Sequence, residues 1–143
     1  MQTLKDLQSK LHKETGKYVP FALKVAPDLD EEEISGLSKV FLDGGLDFLI
    51  ATNTTIARDA VKRHKNAEEA GGLSGAPLTE HSTNVIAQFH QQLGPNIPIV
   101  GAGGIFSAED ALGKKKAGAS LLQLYTGFVY RGPALIHEII KVW

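Results

Sequence analysis

Ile97-Pro98-Ile99-Val100-Gly101-Ala102-Gly103-Gly104-Ile105 is the stretch on which the fold turns. An apolar run ends abruptly in glycines, the pattern of a buried strand feeding a tight turn. Ile105 and Phe106 lead to Ser107, a good helix N-cap, with Ala108, Glu109 and Asp110 behind it. Glycines let backbone N–H groups approach an anion, and a helix N-terminus favours negative charge. One reading is a phosphate cradle; the other is a strand-to-helix turn of any α/β protein, and the stretch by itself leaves both open. A second run, Ser120-Leu121-Leu122-Gln123-Leu124-Tyr125-Thr126, ends in the same way.

On either side of this centre the chain alternates strand and helix. Met1–Thr15 reads as an amphipathic helix with Leu4, Leu7 and Leu11 on the face that packs on a sheet, closed by Gly16. Phe21–Ala26 is the first strand. Lys24 interrupts it, and a lysine on a buried strand is costly unless its ammonium finds a partner. It either snorkels to water or, lying close to the strand end, meets a ligand. Asp30 and Glu33 form a capping-box pattern before a helix whose apolar face is Ile34, Leu37, Val40 and Phe41. Phe48–Thr52 is the second strand, and Asn53, Thr54 and Thr55 at its mouth are either ligand contacts or turn residues.

The polar segment Thr55–Ala70 lacks a period and reads as a lid or a mobile loop. Gly71-Gly72-Leu73-Ser74-Gly75 is an anion nest or a flexible turn. Pro77 opens a helical region with Val85, Ile86 and Phe89 as core candidates. Ser107–Ala117 is the next helix, and within it Lys115 is expected to face the core, one turn after Ala111. Gly132-Pro133 starts a final helix with Leu135, Ile136, Ile139 and Ile140 on its apolar face.

With 143 residues the chain suffices for one domain with a real core, and 43% hydrophobic with 22% charged residues is ordinary for a globular protein. A net charge of -1 argues against nucleic acid or an acidic membrane surface as main partner. The absence of cysteine removes disulfides, zinc–thiolate sites and thiol nucleophiles. His12, His64, His81, His90 and His137 have no metal-ligand spacing, so no metal site is expected. Short, continuous, apolar strands joined by helices indicate a parallel sheet. Polar candidates gather at strand C-terminal ends, as they do in open doubly wound sheets and in eight-stranded barrels. A dinucleotide fold prefers its glycines after the first strand; here they follow the third. Barrels often bind phosphate after their last two strands, which suits Gly103-Gly104 and Tyr125-Thr126 if these strands close a barrel.

Six segments in order carry a resemblance. They are Lys24-Val25-Ala26-Pro27-Asp28-Leu29, Ala51-Thr52-Asn53-Thr54-Thr55, Gly71-Gly72-Leu73-Ser74-Gly75, Gly101-Ala102-Gly103-Gly104-Ile105, Ala117-Gly118-Ala119-Ser120 and Gln123-Leu124-Tyr125-Thr126-Gly127. Together they resemble the dihydroorotate dehydrogenase family, in its quinone-linked, membrane-associated class, over nearly the whole chain. The resemblance implies a (β/α)8 TIM barrel, of which residues 1–143 are the C-terminal half with the last four βα units. It implies FMN as cofactor, with dihydroorotate and orotate as ligands, in pyrimidine synthesis. Lys24, Thr52, Gly75, Gly104, Tyr125 and Thr126 correspond to FMN contacts, the last three mainly around the phosphate. Lys24 would stabilise an anionic reduced flavin. Asn53 and Thr54 correspond to substrate contacts.

The family's catalytic base is a serine on a loop of the other half, and no residue here matches that loop. Ser35, Ser74, Ser82 and Ser107 are read as caps or turns. The segments that meet the membrane and admit quinone are likewise expected elsewhere in a longer protein. That protein would be peripheral on the cytoplasmic side of the membrane, and this chain alone cytoplasmic. Two further functions stay open: a non-catalytic FMN- or phosphate-binding half-barrel, and another FMN-dependent barrel oxidoreductase. Four strands without their complement leave two sheet edges, so self-association is an expectation too.

Overall fold

Four short apolar runs, each with a polar or glycine exit, form the strands of the computed structural model, which describes residues Met1–Trp143. The elements in chain order are α1 (Gln2–Thr15), β1 (Ala22–Val25), α2 (Glu31–Asp43), β2 (Phe48–Ala51), α3 (Thr79–Leu93), β3 (Ile99–Ala102), α4 (Ala108–Lys116), β4 (Ala119–Gln123), α5 (Thr126–Arg131) and α6 (Pro133–Ile140). The sheet is parallel throughout, in the order β1-β2-β3-β4, as expected of consecutive barrel units.

Register decides which side chains face which way. Val25, Ala51, Gly101 and Leu122 stand at one level across the sheet, and Lys24, Ile50, Val100 and Leu121 at the level before it. Side chains alternate along a strand, so the two rows point to opposite faces. The first row, with Leu49 and Ile99, meets the helices. There Ile34 and Phe41 of α2 and Val85, Ile86, Phe89 and Leu93 of α3 complete the main core. Burying each of these larger side chains contributes about 1.5–3 kcal/mol. A smaller cluster, Ile105, Ala111, Leu135 and Ile139, holds α4 and α6 together.

The second row faces the open side. There Lys24 Nζ donates to Gln123 Oε1 at 2.8 Å, although β1 and β4 are separated by two strands. On a flat sheet that separation is about 14 Å. Both side chains leave the same face, and they meet because the sheet curls towards them. The four strands are an arc whose concave face carries Lys24.

Local signals account for most boundaries. The Asp30 carboxylate accepts from the Glu33 amide at 2.8 Å, and the Glu33 carboxylate accepts from the Asp30 amide at 3.0 Å. Ser107 caps α4 by accepting from the Asp110 amide at 3.1 Å. Gly16 ends α1 with φ 69°.

Several expectations are corrected. Leu4, Leu7 and Leu11 of α1 are each about half exposed, and the buried residue of that helix is Gln8. The reason is polar anchoring: Gln8 Nε2 donates to Asp47 at 2.9 Å and to the Val19 carbonyl at 2.8 Å, which turns the leucines away from the sheet. On α2 the buried neighbour of Ile34 and Phe41 is Ser38, one turn after Ile34, and Val40 is exposed. On α6, Leu135 and Ile139 are buried whereas Ile140 is 68% exposed, because the four-residue spacing keeps only one pair under α4. The buried lysine of α4 is Lys114, not Lys115. Lys114 shares the inner stripe with Ala111 at three-residue spacing; Lys115 lies over the Trp143 ring at 5.1 Å. The short helix α5 was not anticipated, since it starts directly at the strand mouth.

Candidate functional site

The strand exits converge on one cleft of about 420 Å³, lined by Lys24, Thr52, Asn53, Thr54, Ser74, Gly75, Leu78, Ala102, Gly103, Gly104, Ile105, Gln123, Leu124, Tyr125, Thr126 and Gly127. All eight residues singled out from the sequence are therefore brought together, although Lys24 and Thr126 are far apart in the chain.

Each wall is fixed by the strand ends. At the exit of β2 the Thr52 amide donates to the Ala102 carbonyl at 3.0 Å, and the Asn53 amide to the Val25 carbonyl at 2.7 Å, tying three strands at one level. The peptide between Ala51 and Thr52 is cis. Thr52 is buried, and its hydroxyl donates to the Asn53 carbonyl at 3.0 Å. Asn53 is exposed, and its Oδ1 accepts from the Thr54 amide at 3.0 Å. Its side-chain NH2 stays free to face a ligand. Behind them the Thr55 hydroxyl donates to Asp28, and the Ile56 amide donates to the same carboxylate at 2.9 Å.

The polar segment after β2 is anchored at its base. Thr55 and Leu73 form an antiparallel bridge, and the Arg58 guanidinium donates to the carbonyls of Thr55 and Gly71. This returns Ser74 and Gly75 to the cleft. There the Thr126 hydroxyl donates to Ser74 Oγ at 3.1 Å, joining this segment to the start of α5. Tyr125 lines the cleft although it is 82% exposed.

The glycine turn after β3 has the most specific geometry. Gly103 and Gly104 adopt φ 107° and 69°, values that L side chains rarely take. A Cβ on Gly103 would stand 2.9 Å from Ser82 Oγ, and one on Gly104 would collide with Thr79. The amides of Gly103, Gly104 and Ile105 donate to no acceptor of the chain. Gly104 and Ile105 are buried, and an unpaired buried amide is costly unless something else accepts from it. Across the cleft the first amides of α5 are unpaired, as at any helix start. Two sets of N–H groups thus border one cleft, an arrangement suited to a phosphate.

Sequence reasoning missed Gln123 as a partner of Lys24, and Ser74 as the link to Thr126. Gln123 was legible as an inward strand residue two positions before Tyr125; Ser74 carried no signal apart from its glycine neighbours. No helix of the chain is long and apolar enough to cross a membrane.

The family model described as dihydroorotate dehydrogenase matches residues 1–142. The curated dihydroorotate dehydrogenase (quinone) of Akkermansia muciniphila is 60% identical over 141 residues, covering 99% of this chain and 40% of that protein. The protein of the same name from Thiobacillus denitrificans is 52% identical over 141 residues, covering 99% of this chain and 42% of its own. Among solved structures, DHODH from Eimeria tenella in complex with ferulenol superposes with a TM-score of 0.88 at 35% identity, over 96% of this chain and 40% of that one. The chain spans about two fifths of the length of the curated relatives it matches. Its four-strand arc is accordingly a sector of a TIM barrel, and the chain belongs to the dihydroorotate dehydrogenase family.

Proposed function

We propose that this chain supplies the cofactor- and substrate-contacting half of a quinone-linked dihydroorotate dehydrogenase, which oxidises dihydroorotate to orotate in pyrimidine (UMP) synthesis. The observation that carries the reading is the set of unpaired amides at Gly103, Gly104 and Ile105, opening on the cleft that holds all eight expected contacts. That donor set fits the phosphate of FMN, which when bound supplies the hydride acceptor. The turn amides and the start of α5 at Tyr125-Thr126 hold the phosphate, with Gly75 and Thr52 lining the approach. Lys24, on the concave face, offers a positive charge to the ring system, and Gln123 orients its ammonium. The Asn53 amide and the Thr54 hydroxyl offer both donors and acceptors to a pyrimidine edge and its carboxylate.

The substrate proton goes to a serine carried by the rest of the enzyme. Quinone reduction and peripheral contact with the cytoplasmic face of the membrane belong to that part as well. The test is a titration of FMN with the purified chain, followed by anaerobic addition of dihydroorotate. A perturbed flavin absorption band that does not bleach is expected. A free-flavin spectrum from a chain that circular dichroism shows to be folded would overturn binding by this half alone and place completion of the site in the rest of the enzyme. Bleaching would place the proton acceptor within this chain and overturn its assignment elsewhere.

A further inference from the structure

A buried cation lies directly behind the glycine turn. Lys114 of α4 has no exposed surface, and no carboxylate forms an ion pair with it. Its ammonium spends all three protons on α3: on the Thr79 carbonyl at 2.7 Å, on Ser82 Oγ at 2.5 Å and on Thr83 Oγ1 at 2.7 Å. Two of those residues go on to touch the turn. The Ser82 hydroxyl donates to the Leu78 carbonyl at 2.7 Å and lies 3.1 Å from the Gly103 carbonyl oxygen, and the Thr79 hydroxyl donates to the Gly104 carbonyl at 2.6 Å.

Peptide planarity gives these contacts a direction. In a trans peptide the C=O of one residue and the N–H of the next point opposite ways. Drawing the Gly103 carbonyl towards α3 aims the Gly104 amide away from it. Drawing the Gly104 carbonyl towards Thr79 does the same for the Ile105 amide. Those are two of the amides left without an acceptor in the chain, and both residues line the cleft. The lysine stem packs beneath Gly101: a Cβ there would stand 3.3 Å from Lys114 Cβ.

We propose that Lys114 is a positioning residue of the phosphate cradle: it locks the Thr79–Thr83 turn of α3, whose Thr79 hydroxyl holds the Gly104 carbonyl and whose Ser82 Oγ packs against the Gly103 carbonyl, so that the following amides face the ligand. This deepens the cofactor reading above and rests on it. Ser82 is then neither a cap nor a turn residue but the relay between a buried charge and the backbone. The ammonium also adds a positive charge behind the cradle, with no carboxylate in ion-pair contact, although Asp110 one helical turn earlier partly offsets it.

The discriminating ligands are FMN and riboflavin, which share the ring system and differ in the phosphate. Dissociation constants for both are measured by fluorescence with the wild-type chain, Lys114→Met and Ser82→Ala. Lys114→Met should weaken FMN about tenfold, the order seen when an outer-shell partner is removed from a bound ion, and leave riboflavin unchanged. Ser82→Ala should show the same phosphate-selective loss, smaller in size, and it decides the matter if the methionine variant does not fold. If the wild type prefers FMN but both variants keep its FMN-to-riboflavin ratio, the positioning role is overturned while the cofactor reading stands. If the wild type itself does not distinguish the two ligands, the cradle reading fails and this inference falls with it.

Discussion

Replacing Lys114 by Met should abolish a pH dependence of stability that the wild-type chain carries. Burial pushes the ammonium from its ordinary 10.5 down to about 8, with Asp110, one helical turn earlier, pulling the other way. In the unfolded chain the lysine titrates at its ordinary value. Between the two values the unfolded state therefore binds the extra proton, and stability rises with pH across that window. It starts to rise near pH 8 and levels off above 10.5. At about 1.4 kcal/mol per pH unit the full difference is about 3 kcal/mol, of which about 2 kcal/mol falls between about pH 7 and about pH 9.5. Urea unfolding of wild type and variant at those two pH values measures it, because subtracting one chain from the other cancels the groups they share. The wild type should gain about 2 kcal/mol on the variant at the higher pH. A difference that stays constant to within about 0.5 kcal/mol would refute the placement of an ammonium without an ion-pair partner in this interior.

Four further outcomes follow from packing and charge. Burial alone raises the Asp47 carboxyl, but hydrogen bonds from Tyr18, the Phe21 amide and Gln8, together with the Lys5 charge, outweigh it and hold it below its ordinary 3.8. Its contribution is present above that value and lost as the pH falls through the lowered one. Asp47→Asn should therefore cost about 1–2 kcal/mol near neutrality, speed amide exchange in α1, and converge with wild type in strong acid. Leu135→Ala, at a site with no exposed surface, should cost about 2–5 kcal/mol in urea unfolding. Gly104→Ala should cost at least about 1 kcal/mol and abolish FMN binding, since its φ of 69° and the collision with Thr79 both oppose a side chain. Leu7→Lys, on the exposed face of α1, should change stability by no more than about 0.5 kcal/mol.

Local signals made much of this legible. The Asp30–Glu33 capping box, the Ser107 cap and the apolar runs before polar exits are short-range patterns, and each forms where it was expected. The strand exits were legible as a site because parallel α/β sheets place ligands there. What depended on distant partners was not legible. The leucine pattern of α1 predicts a buried face, yet Asp47, far along the chain, binds Gln8 and reverses it. In the run Lys114-Lys115-Lys116, four-residue spacing from Ala111 points to Lys115, whereas the three-residue neighbour Lys114 is the one buried. The choice was made by Ser82 and Thr83, acceptors on another helix. Lys24 was conspicuous on its strand, but its partner Gln123 came into view only with the curl of the sheet.

The identity of chain order and sheet order has a mechanical consequence. Every strand pairs only with its predecessor and successor in sequence, so the chain is energetically a short row of units, each resting on the last. Disturbance in such a row spreads by neighbours. The cluster under α4 and α6 is separate from the main core, with Leu122 and Trp143 packed against both. Loosening the last unit therefore strips those two side chains first and leaves the β1–β2 pair intact. Unfolding should begin at the α6 end and run backwards, with hydrogen-exchange protection graded along the chain.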